Sequence, residues 1–261
     1  MPVIQSNGVA IDAEISGPEG APVLMLSNSL GTTRHMWDPQ MGAFTRHFRV
    51  LRYDRRGHGK SAVPKGPYNM EMLGRDVLAV LDGMGIEKAH WLGLSMGGME
   101  GMWLGANAGN RFDKLILSNT SSHYPDKTMW NARMDAVTKA GAVSAISDMV
   151  INAWLTQGFQ KSHPDVTSRM KEMMMSTPVE GYLGCCAAVR DMDHRDLLKA
   201  IKNPTLIIAG SKDPATNVAA AEFIRDNIKG SKLAIVEAAH IANVEVPEVY
   251  AKTVLDFLGT K

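Results

Sequence analysis

The stretch Gly93-Leu94-Ser95-Met96-Gly97 fits the pattern G-x-S-x-G, in which a serine occupies a tight turn between a strand and a helix. Residues 89–92 before it are typical of a short buried strand, and residues 96–108 after it carry apolar side chains at helical spacing. The two glycines leave room for the turn, where a side chain would collide with neighbouring backbone. The pattern therefore predicts a strand–turn–helix unit that presents Ser95 as a nucleophile.

An activated serine needs a histidine that accepts its proton and a carboxylate that orients the histidine. Downstream of Ser95, residues 204–210 are typical of a buried parallel strand, and Asp213 follows just beyond its end. A second strand, predicted at residues 232–236, leads to His240. Catalytic groups of open α/β sheets gather at the carboxyl ends of the strands. We therefore predict that the three side chains meet, with His240 as the base and Asp213 as the acid.

Other histidines and carboxylates fit these roles less well. His90 precedes the serine, which is the wrong chain order for this arrangement. His58 lies in a glycine-rich loop and is interpreted as structural, and His194, in a run of charged residues, is interpreted as solvated. Glu237 is the nearest rival to Asp213, but it lies only three residues before the histidine that it would have to orient.

Composition and charge exclude several classes of function. The chain has 261 residues, of which 45% are hydrophobic and 21% charged, as in a soluble globular protein. A net charge of +1 gives no basic field for nucleic acid, so no nucleic-acid partner is expected. No apolar run approaches the ~20 residues of a membrane helix, so no membrane partner is expected either. P-loop, dinucleotide-binding and zinc-binding spacings are absent, so we expect neither metal nor cofactor.

The N-terminus and the cysteines suggest where the protein works. Residues 1–8 lack the features of a signal peptide and are predicted to enter a β-hairpin with its turn at Asn7-Gly8. The two cysteines, Cys185 and Cys186, are adjacent and do not form a disulfide framework. Because reduced thiols are typical of a reducing compartment, we expect a cytoplasmic protein.

Periodicity divides the chain into a core and an insertion. Strand and helix patterns alternate in residues 1–120 and 196–261, which predicts an α/β core. In residues 121–195 the strand pattern disappears, which predicts a helical cap inserted into the core and folded over the strand ends. The predicted cap helices span residues 126–140, 143–154, 164–176 and 179–190.

Four further motifs extend along the chain. They are Ser27-Asn28-Ser29-Leu30-Gly31-Thr32, Tyr53-Asp54-Arg55-Arg56-Gly57-His58-Gly59, Pro178-Val179-Glu180-Gly181-Tyr182 and Asp213-Pro214-Ala215-Thr216. Together with the G-x-S-x-G turn, they make the whole chain resemble the α/β-hydrolase superfamily, and more narrowly the 3-oxoadipate enol-lactonases.

This resemblance implies an α/β-hydrolase fold, with a mostly parallel central sheet, helices on both faces and a helical cap insertion. It implies hydrolysis of 3-oxoadipate enol-lactone to 3-oxoadipate through an acyl-enzyme on Ser95. The reaction would belong to the β-ketoadipate pathway, in which bacteria degrade protocatechuate or catechol. It needs no metal or cofactor, and the partner would be a small anionic lactone.

Such a reaction also needs donors for the oxyanion that forms on the lactone carbonyl. One donor is expected to be the backbone N–H of Met96, directly after the nucleophile and at the start of its helix. Alignment of residues 27–31 with the family's His-Gly-x loop places Asn28 and Ser29 at the histidine and glycine positions. The resemblance therefore implies that the backbone N–H of Leu30 is the second donor.

The lactone carries a carboxymethyl group, so a cation is expected near the pocket. Arg133, on the first cap helix and flanked by apolar residues, is the preferred candidate, although a solvated helix arginine would show the same pattern. Arg34 and Arg190 are alternatives. Trp154 is a candidate for an apolar wall of the pocket, and packing in the core explains it equally well.

Two other classes of function stay open at this point. The same scaffold supports other serine hydrolases, namely carboxylesterases, C–C bond hydrolases and perhydrolases. It also supports ligand-binding receptors that keep the three catalytic side chains but hydrolyse slowly. Fold alone does not choose among them, and the sequence does not indicate an oligomeric state.

Overall fold

A computed structural model describes residues 3–260 of the chain. Eight strands form a single sheet: β1 (Val3–Ser6), β2 (Val9–Ser16), β3 (Val23–Ser27), β4 (Arg49–Tyr53), β5 (Ala89–Leu94), β6 (Phe112–Ser118), β7 (Thr205–Gly210) and β8 (Lys232–Val236). Their order across the sheet is β1-β2-β4-β3-β5-β6-β7-β8. The pairs β1–β2 and β2–β4 are antiparallel, and every other pair is parallel. The predicted mostly parallel sheet is confirmed.

The register of the inner strands brings their carboxyl ends to one edge. Ser27 of β3 is paired with Gly93 of β5, and Leu94 is paired with Ser118 of β6. Strand β7 is buried at every residue. Because successive side chains of a strand point to opposite faces, this burial requires cover on both faces of the sheet. The residues that follow β3, β5, β6 and β7 therefore meet at one edge of a buried sheet.

Helices supply that cover. Helices α2 (Met70–Gly83) and α3 (Met96–Asn107) contact each other and the sheet, while α1 (Asp38–Phe44) contacts α11 (Pro247–Leu258). Asn69 caps α2 by accepting a hydrogen bond from the Met72 N–H, and Pro247 begins α11. The helices outside the insertion are α1 (Asp38–Phe44), α2 (Met70–Gly83), α3 (Met96–Asn107), α9 (Val218–Asn227), α10 (Ala242–Glu245) and α11 (Pro247–Leu258).

The segment between β6 and β7 is helical, as predicted; residues 121–195 are called the cap segment below. Its helices are α4 (Thr128–Ala140), α5 (Ser147–Trp154), α6 (Gln157–Ser162), α7 (Pro164–Met175) and α8 (Val179–Asp191). Two details of the sequence prediction are wrong. Val143–Ile146 forms a 3-10 helix before α5, and the short helix α6 was not predicted. His123 and Asp193 form a bridge where the segment leaves and rejoins the sheet.

The N-terminal hairpin is also confirmed. β1 and β2 pair in antiparallel register around the turn, and both Asn7 and Gly8 have positive φ, at 47° and 79°. Asparagine and glycine tolerate this left-handed backbone better than other residues, which explains the turn. Across residues 3–260, no helix is both long enough and apolar enough to cross a membrane.

Candidate active site

Ser95 lies on a strained turn between β5 and α3. Its backbone angles are φ 58° and ψ −114°, outside the regions that L-residues favour, at a cost on the order of 1–3 kcal/mol. The turn is tight enough to exclude side chains at both flanking glycines. A Cβ atom on Gly93 would lie 2.0 Å from the carbonyl oxygen of Gly97, and one on Gly97 would lie 2.4 Å from that of Ser27. The predicted strand–turn–helix unit is therefore confirmed.

The structure brings the three predicted side chains together. Nε2 of His240 lies 2.8 Å from Oγ of Ser95, and Nδ1 of the same ring lies 2.8 Å from Oδ2 of Asp213. All three residues are buried. An ionised Asp213 accepts a hydrogen bond from Nδ1–H, which keeps the proton of the neutral ring on Nδ1. Nε2 is then left with a lone pair that faces the serine hydroxyl. This is the arrangement that a proton-accepting base requires.

Asp213 is held ionised by the groups around it. Its Oδ1 accepts hydrogen bonds from the N–H groups of Ala215 (2.8 Å) and Thr216 (3.0 Å). Its Oδ2 accepts from Oγ1 of Thr216 (2.7 Å) and Nδ2 of Asn119 (3.1 Å). Burial alone would raise the pKa of Asp213, but His240 and the Thr216 donors outweigh it and lower the pKa to about 2. The carboxylate therefore remains charged at any pH near neutrality.

The structure places the two residues predicted to supply the oxyanion donors at the wall of the cavity. Leu30, in the loop after β3, and Met96, the first residue of α3, both line the cavity that contains Ser95. The loop is joined to the helix by a hydrogen bond of 3.1 Å from the N–H of Gly97 to the carbonyl of Asn28. Within residues 3–260, neither the Leu30 N–H nor the Met96 N–H donates to another protein group. Both are therefore available to an oxygen atom of a bound molecule.

The cavity lies between the strand ends and the cap segment and has a volume of about 180 Å³. Apart from the reactive groups, its walls are mostly apolar, with Met99 from the core and Met149 and Val150 from the cap. In the part of the chain that the structure describes, no cluster of metal-ligating side chains is present. All the predicted site residues except Asp213, which lies behind His240, line this cavity: Ser95, His240, Leu30, Met96, Arg133 and Trp154.

Of the three candidate arginines, only Arg133 lines the cavity. Its guanidinium lies 4.7 Å from the centroid of the Trp130 ring, and its Nε is buried without a hydrogen-bond partner. No carboxylate of residues 3–260 forms an ion pair with it. Arg34 instead pairs with acidic side chains of β2, and Arg190 forms an ion pair of 2.6 Å with Asp191.

The sequence and fold of this chain are similar to those of known proteins. A family model described as the alpha/beta hydrolase fold matches residues 22–247. The chain belongs to the α/β-hydrolase family. It is 37% identical to 3-oxoadipate enol-lactonase 2 of Acinetobacter baylyi, over 95% of this chain and 92% of that protein.

Two solved structures of hydrolases are similar over almost their whole length. A hydrolase from Pseudomonas aeruginosa PA01 is 43% identical, with a TM-score of 0.96 and coverage of 99% of this chain and 97% of that one. The enol-lactonase from Burkholderia xenovorans LB400 is 38% identical, with a TM-score of 0.96 and coverage of 98% and 99%. The similarity therefore includes the cap segment as well as the core.

Sequence reasoning missed several residues of this α/β-hydrolase site. Asn119, with φ 44°, directly follows β6 and donates from Nδ2 both to Asp213 and to the carbonyl of Ala239, each at 3.1 Å. Thr120 donates from Oγ1 to the carbonyl of Ser95 at 2.7 Å. Both follow a buried parallel strand, and this position at the catalytic edge is the signal that could have identified them.

The rival histidines and the rival carboxylate lie outside the reacting groups. His58 is fully buried and its Nε2 accepts the Gly31 N–H at 3.0 Å; burial and then the charge of Arg55 lower its pKa to about 3. The prediction that His194 is solvated is wrong. It is 5% exposed, its N–H donates to the carbonyl of Ser122 at 2.8 Å, and burial lowers its pKa to about 4. Glu237 is exposed and pairs with Lys212 at 2.8 Å.

Proposed function

We propose that this α/β hydrolase hydrolyses 3-oxoadipate enol-lactone to 3-oxoadipate in the bacterial degradation of protocatechuate or catechol. One observation at the site supports an anionic lactone as the substrate. The cavity that contains Ser95 and His240 also contains Arg133, a cation that has no carboxylate partner among residues 3–260. A serine nucleophile and a cation for an anionic group suit a lactone that carries a carboxylate. The similarity to proteins named enol-lactonase supports the same substrate.

In the first half of the reaction, Oγ of Ser95 attacks the lactone carbonyl while Nε2 of His240 takes the hydroxyl proton. Asp213, ionised and hydrogen-bonded to Nδ1, stabilises the imidazolium that results. The carbonyl oxygen becomes an oxyanion and accepts hydrogen bonds from the Leu30 and Met96 amides. Each such donor contributes roughly 3 kcal/mol to stabilising the transition state.

The ring C–O bond then breaks, and His240 returns its proton to the departing enol oxygen. The enol remains attached to the acyl chain because the ester is cyclic, and it tautomerises to the ketone. A water molecule, deprotonated by His240, attacks the acyl-enzyme and releases 3-oxoadipate with regeneration of Ser95. The cycle uses one water and requires no other reactant.

Substrate binding is assigned to the cap segment. Arg133 binds the carboxymethyl group, and stacking on Trp130 holds the guanidinium in place. Trp154 forms an apolar wall of the cavity, while its carbonyl accepts the N–H of Ile241 at 3.0 Å and so connects the cap to the His240 loop.

Catalysis and substrate selection are assigned to different parts of the chain. Residues 1–120 and 196–261 form the catalytic core and residues 121–195 form the cap that selects the substrate; residues 1, 2 and 261 lie outside those that the structure describes. We also infer a cytoplasmic enzyme. The adjacent thiols of Cys185 and Cys186 are unpaired and buried, which is in keeping with a reducing compartment.

Comparing a charged with a neutral substrate tests the proposal. Purified enzyme should hydrolyse the enol-lactone in preference to p-nitrophenyl acetate. Arg133→Ala should lower kcat/KM for the lactone by roughly ten- to a hundredfold, the value of a charge-assisted hydrogen bond, and hardly change it for the neutral ester. Arg133→Lys should recover part of the loss, because lysine keeps the charge but lacks the planar fork.

Arg190→Ala is the matched control, since Arg190 lies on the cap but does not line the cavity. It should leave both rates near those of the wild type. Equal losses on both substrates in Arg133→Ala would mean that the arginine only holds the cap in place. Turnover of the ester without turnover of the lactone would instead favour a carboxylesterase.

A further inference from the structure

A buried ion pair joins the helix that follows the catalytic serine to the loop after β4, and it takes no part in the mechanism described above. Arg55, in the loop after β4, donates from Nε to Oε1 of Glu100 at 3.0 Å and from Nη2 to Oε2 at 3.1 Å. Side-chain exposure is 1% for the arginine and 0% for the glutamate. Buried ion pairs are often no more stabilising than well-packed apolar residues. Stability alone therefore does not explain why two charges lie at this place.

Arg55 also donates hydrogen bonds to backbone carbonyls of the loop that contains the Leu30 amide. Nη1 donates to the carbonyl of Ser29 at 3.1 Å, and Nη2 donates to that of Asn28 at 2.8 Å. The Ser29 carbonyl and the Leu30 N–H belong to the same peptide unit. Because a trans peptide is planar, its N–H points away from its C=O. The same carbonyl also accepts a hydrogen bond of 2.8 Å from Oγ1 of Thr32. Arg55 and Thr32 together therefore fix the carbonyl, and with it the direction of the N–H on the opposite side.

The second amide is held in the same way by a neutral group. The Met96 N–H shares its peptide unit with the carbonyl of Ser95. That carbonyl accepts a hydrogen bond of 2.7 Å from Oγ1 of Thr120 and one of 3.1 Å from the N–H of Met99. In both peptide units, then, the carbonyl accepts hydrogen bonds from behind, and the N–H donates to no other group of residues 3–260.

Glu100 connects the two halves of this arrangement. It lies on α3, one turn after Met96, so it stands on the helix that begins with the second amide. It also accepts a hydrogen bond of 2.9 Å from the hydroxyl of Tyr53. The position of Arg55, and through it the loop with Leu30, is therefore set relative to the helix with Met96.

We propose that Arg55, held by Glu100, and Thr120 are positioning residues that orient the two oxyanion donors by binding the carbonyls of the same peptide units. Hydrogen bonds along a peptide also polarise one another, so a cationic donor at the Ser29 carbonyl makes the Leu30 N–H a stronger donor. The inference rests on the proposed function in one respect, namely that the Leu30 and Met96 amides are the donors to the oxyanion. It applies to any ester that Ser95 attacks, whether or not the ester is a lactone.

Three variants test it. Arg55→Lys keeps the charge but not the fork that reaches two carbonyls, Glu100→Gln removes the charge that holds the arginine, and Thr120→Val is nearly isosteric and removes only the hydroxyl. Each should lower kcat by roughly ten- to a hundredfold, less than the full loss of a donor, with KM changed little. The loss should be the same for the enol-lactone and for p-nitrophenyl acetate, because both form an oxyanion.

A second readout separates positioning from general damage. A trifluoromethyl ketone adds to Ser95 as a tetrahedral oxyanion, so its inhibition constant should rise in parallel with the fall in kcat. The product 3-oxoadipate forms no tetrahedral adduct with Ser95, so its binding should weaken much less than that of the ketone.

The neighbouring pair Arg56–Asp76 provides a matched control. It has two hydrogen bonds of 2.6 Å and is nearly as buried, with exposures of 9% and 1%, but it does not contact the Asn28 or Ser29 carbonyl. Arg56→Lys should lower the melting temperature without a comparable loss of kcat. An equal kcat loss in Arg56→Lys would overturn the role of Arg55.

Thr120→Val keeps the proposal testable even if the charge variants do not fold. A folded Thr120→Val enzyme with kcat and ketone inhibition within twofold of the wild type would overturn the inference. If the wild type hydrolyses only p-nitrophenyl acetate and the variants lose that activity as described, the inference stands and the lactonase proposal fails. If the wild type turns over neither substrate, both fail.

Discussion

His58 is a residue whose role became clear only from its surroundings. It is fully buried in the loop after β4, where Nε2 accepts the Gly31 N–H at 3.0 Å. A protonated ring could not accept that hydrogen bond, and it would also lie near the charge of Arg55. Burial first, and Arg55 second, lower the pKa of His58 to about 3. The neutral imidazole is therefore part of the support of the loop that contains Leu30.

This lowered pKa predicts how stability depends on pH. An unfolded histidine titrates near pH ~6.5, so below that value the unfolded chain binds a proton that folded His58 does not bind. The free energy of unfolding should consequently fall as the pH drops from ~6.5 towards ~3, and His58 alone should account for about 2 kcal/mol between about pH 7 and about pH 5. Urea unfolding at the two pH values measures the difference.

His58→Gln keeps an acceptor for Gly31 and cannot be protonated, so its stability should depend less on pH by this amount. His163→Gln is the control, because His163 is exposed, and it should keep the dependence of the wild type. If His58→Gln shows the same pH dependence as the wild type, the assignment of a neutral buried ring is wrong.

At the scale of elements, strands were easier to predict than the cap. The inner parallel strands β3, β5 and β7 are largely buried apolar runs, and the prediction of β8 at residues 232–236 has the observed ends although that edge strand is mostly exposed or half-buried. The helix α6 was missed because Gln157–Ser162 contains a single large apolar residue, Phe159, and so lacks helical periodicity. It is formed instead by its N-cap: Oγ1 of Thr156 accepts the Phe159 N–H at 3.3 Å.

One carboxylate links the start of α6 to the catalytic loop, in addition to the hydrogen bond from the Ile241 N–H to the carbonyl of Trp154. Glu245, at the end of α10, accepts the Ala239 N–H at 2.8 Å through Oε2, and Oε1 accepts hydrogen bonds from the N–H and hydroxyl of Thr156. It therefore connects the cap to the residue that precedes His240. We expect Glu245→Ala to lower the free energy of unfolding by about 1–3 kcal/mol, because it leaves the Ala239 and Thr156 donors without this acceptor. It should also lower kcat by roughly tenfold through displacement of His240.

Urea unfolding and steady-state kinetics on the enol-lactone measure the two effects. Glu248→Ala is the control, since Glu248 is exposed at the start of α11, three residues away. It should change neither quantity appreciably. A folded Glu245→Ala enzyme with unchanged kcat would show that the His240 loop is held by other contacts.

Across the whole molecule, a contact between distant residues could be predicted only where a visible strand or helix pattern places both residues at the same edge. Ser95, Asp213 and His240 could be predicted because each follows a strand whose apolar run is visible, and parallel strands end at one edge. Arg55 and Glu100, by contrast, are 45 residues apart, on a loop and a helix interior whose sequences indicate no contact. The sequence favours Arg133 over Arg34 and Arg190 from its place beside apolar residues on a cap helix, but only the fold shows that the other two arginines have acidic partners.

The proposed reaction depends on a single nucleophile, Ser95, within an otherwise intact fold. Ser95→Ala should leave the melting temperature close to that of the wild type, because within residues 3–260 the Ser95 hydroxyl forms a hydrogen bond only with His240. Members of a triad act as a unit, so the variant should lose at least ~10³ of kcat on the enol-lactone. The decisive measurement is therefore the kcat of purified Ser95→Ala beside that of the wild type. Turnover by the variant at a rate close to that of the wild type would contradict the serine mechanism.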